Sequence, residues 1–126
     1  GAAPSAANPL TAHFGVVHGA AVGLMLPHVV RFNAGEPAAK AAYADLAASA
    51  GLHGPGADAD TAVESLVRRL EQLAKAAEIP RTLSEAGVDP SAIPVMATEA
   101  ARQWTATFNP RAITAADFEA LYRAAV

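Results

Sequence analysis

The stretch Asn8-Pro-Leu-Thr-Ala-His13-Phe-Gly-Val-Val-His18-Gly-Ala-Ala-Val-Gly-Leu-Met-Leu-Pro-His28-Val-Val-Arg-Phe-Asn33 holds three of the chain's four histidines in an otherwise almost wholly apolar run. Burying an imidazole costs free energy unless each ring nitrogen finds a hydrogen-bond partner or a metal ion. The stretch is therefore a core helix with satisfied histidines or one wall of a metal site. A helix is expected from about His18 to Phe32, with Asn33-Ala34-Gly35 as its stop and Pro27 as a point of kinking. Gly15, Gly19 and Gly23 recur at every fourth position. On a helix they would share one face, which predicts close approach of a neighbouring helix.

Outward from this stretch the chain reads as helical throughout. At 126 residues it suits one domain with a real core. Its 52% hydrophobic and 17% charged residues exclude a disordered chain. Abundant alanine and only 6% aromatics favour closely packed helices over a β-sandwich. Gly1 to Leu10 is small and proline-interrupted and reads as the tail of a preceding element. A second helix is expected over Pro37 to Ala50, opened by a proline suited to a first turn. Leu52 to Ala57 is a Gly/Pro loop. Thr61-Ala-Val-Glu64 has the pattern of a capping box, and Ala62, Val63, Leu66, Val67, Leu70, Leu73 and Ala77 follow at helical spacing up to Pro80. Further helices are expected over Val95 to Trp104 and after Thr114-Ala-Ala-Asp117, the last with a face of Phe118, Leu121, Tyr122 and Ala125. No segment alternates as a strand would. The expected fold is all-α, a single multi-helix domain over residues 1–126.

The same composition removes several functions. A net charge of −3 without a basic stripe argues against nucleic acid. With no cysteine there is neither a disulfide framework nor thiolate chemistry, which is compatible with the cytoplasm. Val16 to Val30 is shorter than the roughly 20 residues a bilayer span needs, and it carries His18, Pro27 and His28. No basic region followed by an apolar one opens the chain, so a soluble, cytoplasmic protein without a membrane partner is expected. There is no Gly-x-Ser-x-Gly elbow and no triad pattern. Asp58 and Asp60, beside a helix start, read as caps. Arg68, Arg69 and Lys75 read as a solvated face. No strand, glycine-rich turn and helix occur in the order that cradles a pyrophosphate, so no cofactor-binding residue is assigned, and no catalytic one.

Three groups of residues carry a family pattern: His18-Gly19, Leu26-Pro27-His28 and Phe32-Asn33, then Asn109-Pro110-Arg111 before a capped helix with Leu121-Tyr122. Together they resemble the helical C-terminal domain of the iron-containing (group III) alcohol dehydrogenases. The resemblance implies a fragment of a two-domain oxidoreductase whose N-terminal nucleotide-binding domain lies outside this chain. In that family Fe²⁺, or Zn²⁺, held by an aspartate and three histidines, polarises the oxygen of a small alcohol or aldehyde while hydride passes to or from NAD(P). His18 matches the last metal ligand. The position fourteen residues earlier, matching another, is Pro4, which has no side-chain donor. The resemblance puts Asn8 beside the metal and nicotinamide. Trp104 and Thr105, just before the Asn-Pro-Arg turn, read as a wall of the substrate pocket, the alternative for the single tryptophan at helical spacing being a place in the core. His13 either lines that cleft or is a hydrogen-bonded structural residue. His28 is expected to be structural and hydrogen-bonded, His53 solvated, and Arg111 to tie its turn to neighbouring carbonyls or a carboxylate. The expected partners are the N-terminal domain and a small alcohol or aldehyde. An apolar face left bare by the missing domain would favour homo-oligomers. Taken alone, with one matched ligand, the chain is expected to bind neither metal nor NAD(P). The alternative reading is a non-catalytic, free-standing helical packing or interaction domain, which Pro4 and the missing cofactor half both favour.

Overall fold

Alanine and proline in the first ten residues build a helix rather than a tail. In the computed structural model, which describes residues 1–126, helix α1 spans Ala2–Phe14. Pro4 stands in its first turn, where a missing N–H is no loss. Pro9 forfeits one ladder bond, and burial offsets it: Ala2, Ala3, Ser5, Ala6, Ala7, Pro9 and Leu10 are all buried. The helix ends at Gly15 in the left-handed region (φ 66°), a conformation that glycine adopts without strain. The chain then doubles back. Val16 N–H donates to Leu10 O at 3.4 Å, and Thr11 Oγ1 donates to Val16 O at 2.8 Å.

This reversal delivers His18 to the first position of α2, His18–Asn33, close to the expected bounds. The glycine face does not form as expected. Gly15 lies outside the helix and a Cβ at Gly19 would meet nothing; a Cβ at Gly23 would stand 2.8 Å from the Ile79 side chain, not from a helix backbone. The close approach is thus made by one loop side chain.

Helix α3 spans Pro37–Ser49 with proline in its first turn, and α4 spans Ala59–Ala76. The cap of α4 is Asp58, which accepts from Thr61 N–H at 2.7 Å, three residues before the expected Thr61 box. Asp58 wins because a carboxylate at the N-cap is a strong acceptor facing the helix dipole. A 3₁₀ turn at Pro90–Ala92 leads into α5, Ile93–Arg102. Gln103 is extended (φ −67°, ψ 131°) and breaks the helix, so Trp104–Phe108 forms a separate 3₁₀ turn rather than a last helical turn. Finally α6, Ala115–Ala124, opens with a Thr114–Asp117 capping box, and Phe118, Leu121, Tyr122 and Ala125 are buried as the pattern predicted. Every regular element is helical, and no helix is long and apolar enough to cross a membrane.

Two cores hold the helices. Leu10, Met25, Ile93, Met96, Phe118 and Tyr122 centre the larger one, between α1, α2, α5 and α6. Val30, Ala47, Val63, Leu66 and Val67 centre the smaller, between α2, α3 and α4, and Leu26 packs against both. Helix α2 is therefore the shared wall. Each fully buried Leu, Met or Phe side chain contributes about 1.5–3 kcal/mol relative to exposure.

The end of α2 is locked by Arg111. Its guanidinium lies 4.1 Å from the centroid of the Phe32 ring, and Nη1 donates to Phe32 O at 2.7 Å. Both contacts suit a cation at a helix C-terminus. A Cβ on Gly35 would stand 2.5 Å from Arg111 Nη1 and 3.2 Å from Phe32 O. Gly35→Ala should therefore displace the guanidinium and lower stability by about 1–3 kcal/mol, the range for overpacking. Urea unfolding reads it directly; an unchanged midpoint would show that Arg111 moves aside freely.

Candidate functional site

Of the residues singled out from the sequence, Asn8 and Thr105 meet along one seam. Ser5 and Asn8 are three apart on α1 and so share a face. Ser5 Oγ lies 2.6 Å from Thr105 Oγ1, and Asn8 Nδ2 donates to Gln103 Oε1 at 3.0 Å. The extended backbone at Gln103 places residues 103 and 105 against α1. Trp104, between them, projects outward: it is 72% exposed and meets Phe108 edge-on at 5.7 Å.

His13 occupies the far end of α1, where its Nε2 sits 2.7 Å from Glu99 Oε2 of α5. That contact ties two helices and leaves the ring at the surface. His18, the first residue of α2, is exposed. Arg111 bonds the Phe32 carbonyl, as expected.

Two histidines differ from expectation. The pKa of His28 is lowered first by burial, then by Arg31, with Glu71 opposing, and no hydrogen bond contributes. Its ring borders a cavity of about 400 Å³, together with Glu71, Arg81, Thr82 and Glu85. Facing that space it meets no protein acceptor, so the expected structural hydrogen bond is absent. His53 is half-buried rather than solvated: Nδ1 is 2.9 Å from Gly54 O and Nε2 is enclosed without a partner. The loop folds over it.

Sequence reasoning passed over Gln103, Ser5 and the Asn33–Asn109 pair. Asn109 Nδ2 donates to Asn33 Oδ1 at 2.7 Å and Asn33 Nδ2 returns the bond at 3.2 Å. Asn109 also accepts from Ala2 N–H at 3.2 Å and donates to Arg111 O at 2.7 Å. The Asn-Pro-Arg turn thus joins the start of α1 to the end of α2. Its motif was visible; its partners, 76 and 107 positions away, were not.

The donors present can serve a metal only in part. No three His, Cys, Asp or Glu side chains gather into a group that could hold an ion. Pro4, half-buried in the first turn of α1, offers nothing. His18 offers one imidazole at a helix N-terminus, where the partial positive charge disfavours a cation. A metal there would need anionic donors from outside this chain.

Residues 1–126 match the model of the Fe-containing alcohol dehydrogenase family, C-terminal. The chain belongs to the iron-containing alcohol dehydrogenase family. Its match to this family is to the C-terminal part of longer relatives. Lactaldehyde reductase of Escherichia coli K12 is 34% identical over 119 residues, covering 94% of this chain and 31% of that protein. A 1-propanol dehydrogenase of Salmonella typhimurium is 37% identical over 109 residues, covering 83% and 30%. The solved structure of a 1,3-propanediol oxidoreductase superposes over 100% of this chain and 32% of its own, with a TM-score of 0.92 and 29% identity. This member of the family therefore spans about a third of the length of these relatives.

Proposed function

We propose that this chain is the helical metal- and substrate-facing domain of an alcohol–aldehyde oxidoreductase, completed by an N-terminal nucleotide-binding domain of the same protein. The observation that carries the proposal is the match of the whole chain to the family model, and of 83–100% of it to enzymes named for lactaldehyde, 1-propanol and propanediol. Fe²⁺ or Zn²⁺, when bound, would polarise the alcohol or carbonyl oxygen, and NAD(P) would exchange hydride with the carbon. His18 would give one ligand to that metal, with the others supplied from upstream. Asn8 and Thr105 form the polar edge of the substrate wall and Trp104 its apolar part, with His13 at the rim. Exposed Trp104 and Phe108, which meet edge-on, are apolar surface that the N-terminal domain would cover; without it, self-association is expected. The cysteine-free composition is compatible with a cytoplasmic location.

Pro4 and the lack of a three-donor group favour a second reading, a non-catalytic helical packing domain. The two separate cleanly. The full-length protein should retain metal through gel filtration and form NADH or NADPH when given an alcohol. The 126-residue chain should do neither, since tight affinity needs three or four donors fixed together. A full-length protein without alcohol-dependent turnover would leave only the packing role.

A further inference from the structure

We propose that the cleft between the second half of α4 and the loop after it binds a doubly charged oxyanion, a phosphoryl group, on Arg68, Lys75 and Arg81. The cleft holds about 240 Å³ and is lined by these three cations with Glu71 and Gln72, and by no hydrophobic residue. It lies on α4 and its following loop, whereas Asn8 and Thr105 lie on α1 and the turn after α5. It therefore stands apart from the substrate wall and does not rest on that reading.

The charge here is uncompensated because Arg31 draws the neighbouring acids toward α2. Its guanidinium takes both oxygens of Glu64, Nε at 3.1 Å and Nη2 at 3.3 Å, and its Nη1 stands 3.7 Å from Glu71 Oε1. Glu64 and Glu71 are the residues, one turn earlier on α4, with which Arg68 and Lys75 would otherwise pair. Glu85 spends its Oε2 on the backbone N–H of Arg81, at 2.9 Å, rather than on the guanidinium. The ion pairs of the molecule involve His13, Arg31, Lys40 and Arg123 alone. Arg68, Lys75 and Arg81 therefore have none, in a chain whose net charge is −3. Lys75, in the last turn of α4, also suits the negative end of the helix. That field fades within a turn, so it accounts neither for Arg68, earlier on the helix, nor for Arg81 beyond it.

The surplus selects the ligand. Three cations less one carboxylate, itself shared with Arg31, leave two positive charges in the cleft. One dianion neutralises them; a single carboxylate would leave half. Guanidinium forks match phosphoryl oxygens in pairs, and the lysine adds a point charge. All three cations are exposed, so the affinity is modest and falls as salt rises.

The test titrates the full-length protein with inorganic phosphate and with methyl phosphate, by calorimetry in low salt at about pH 7.5, where the phosphoryl group is mostly a dianion. Replacing Arg68, Lys75 and Arg81 together by glutamine should weaken binding by about tenfold or more, a few-fold for each exposed cation. Arg102→Gln removes the same charge from α5, outside the cleft, and should change affinity by less than about twofold. Arg31→Gln frees Glu64 and Glu71 for Arg68 and Lys75, and should weaken binding about threefold although Arg31 does not line the cleft. Substitutions at such exposed positions leave the fold intact. Methyl phosphate bound as well as inorganic phosphate assigns the cleft to an ester-borne group; much weaker binding assigns it to the free ion. Absence of saturable phosphate binding, binding untouched by the triple replacement, or an equal loss in Arg102→Gln overturns the proposal. A glutamate-rich peptide that binds where phosphate does not also overturns it, and makes the cleft a protein contact.

Discussion

Truncating Tyr122 to alanine lowers the unfolding free energy by about 3–5 kcal/mol, the range for deleting a large buried aromatic. Its side chain is fully buried in the larger core, and its hydroxyl donates to Ala6 O at 2.6 Å across 116 residues of sequence. One residue thereby fastens the last helix to the first, the helix that carries Ser5 and Asn8. Tyr122→Phe keeps the ring and should cost only about 1–2 kcal/mol, the value of a buried hydrogen bond. Alkaline pH gives an independent readout. Burial first, and the negative charge of Glu99 second, raise the Tyr122 pKa above its ordinary value of 10.0. A pKa raised by folding means that the phenol's contribution is fully present below pH 10 and is lost as pH rises beyond it. Urea midpoints followed through that window should fall in the wild type and fall less in Tyr122→Phe. Equal alkaline slopes would show that the phenol is not the group being strained.

The elements legible in the sequence are those with two different faces. Helix α6 declared itself by a Thr114–Asp117 cap and four apolar residues at helical spacing, and α4 by a long one-sided stripe. Helix α1 did not, because it is buried on most sides by alanine, serine and proline and so has no polar face to set a period. The break at Gln103 was also hidden, since helical spacing runs on through Trp104 and only extended backbone separates them. Among the site residues, His18 was marked by the motif around it, not by periodicity or charge. The partners of Asn8 and Ser5 lie 95 and 100 residues away. No local pattern encodes such pairs; they exist only once α1 packs on the turn after α5.

His18→Ala should do the reverse of the tyrosine change. His18 is exposed at the start of α2, after a Val17 N-cap that makes no side-chain cap bond. Alanine is the better helix former at such a position, so the unfolding free energy should change by no more than about 0.5 kcal/mol. If His18 is the metal donor we propose, the same substitution in the full-length protein should cut alcohol-dependent turnover by at least about a hundredfold, since losing even an outer partner of a metal site costs 10–100-fold. Metal retained through gel filtration should fall with it. A histidine kept for packing would show the opposite pattern, with stability falling and metal content intact. The contrast is decisive because nothing in the fold holds this imidazole: it borders no core, and it stands at the helix end where a cation would need charge from elsewhere. Full activity and full metal content in His18→Ala would therefore remove the metal from this chain altogether and leave it only the proposed substrate wall of Asn8, Thr105 and Trp104, with His13 at its rim.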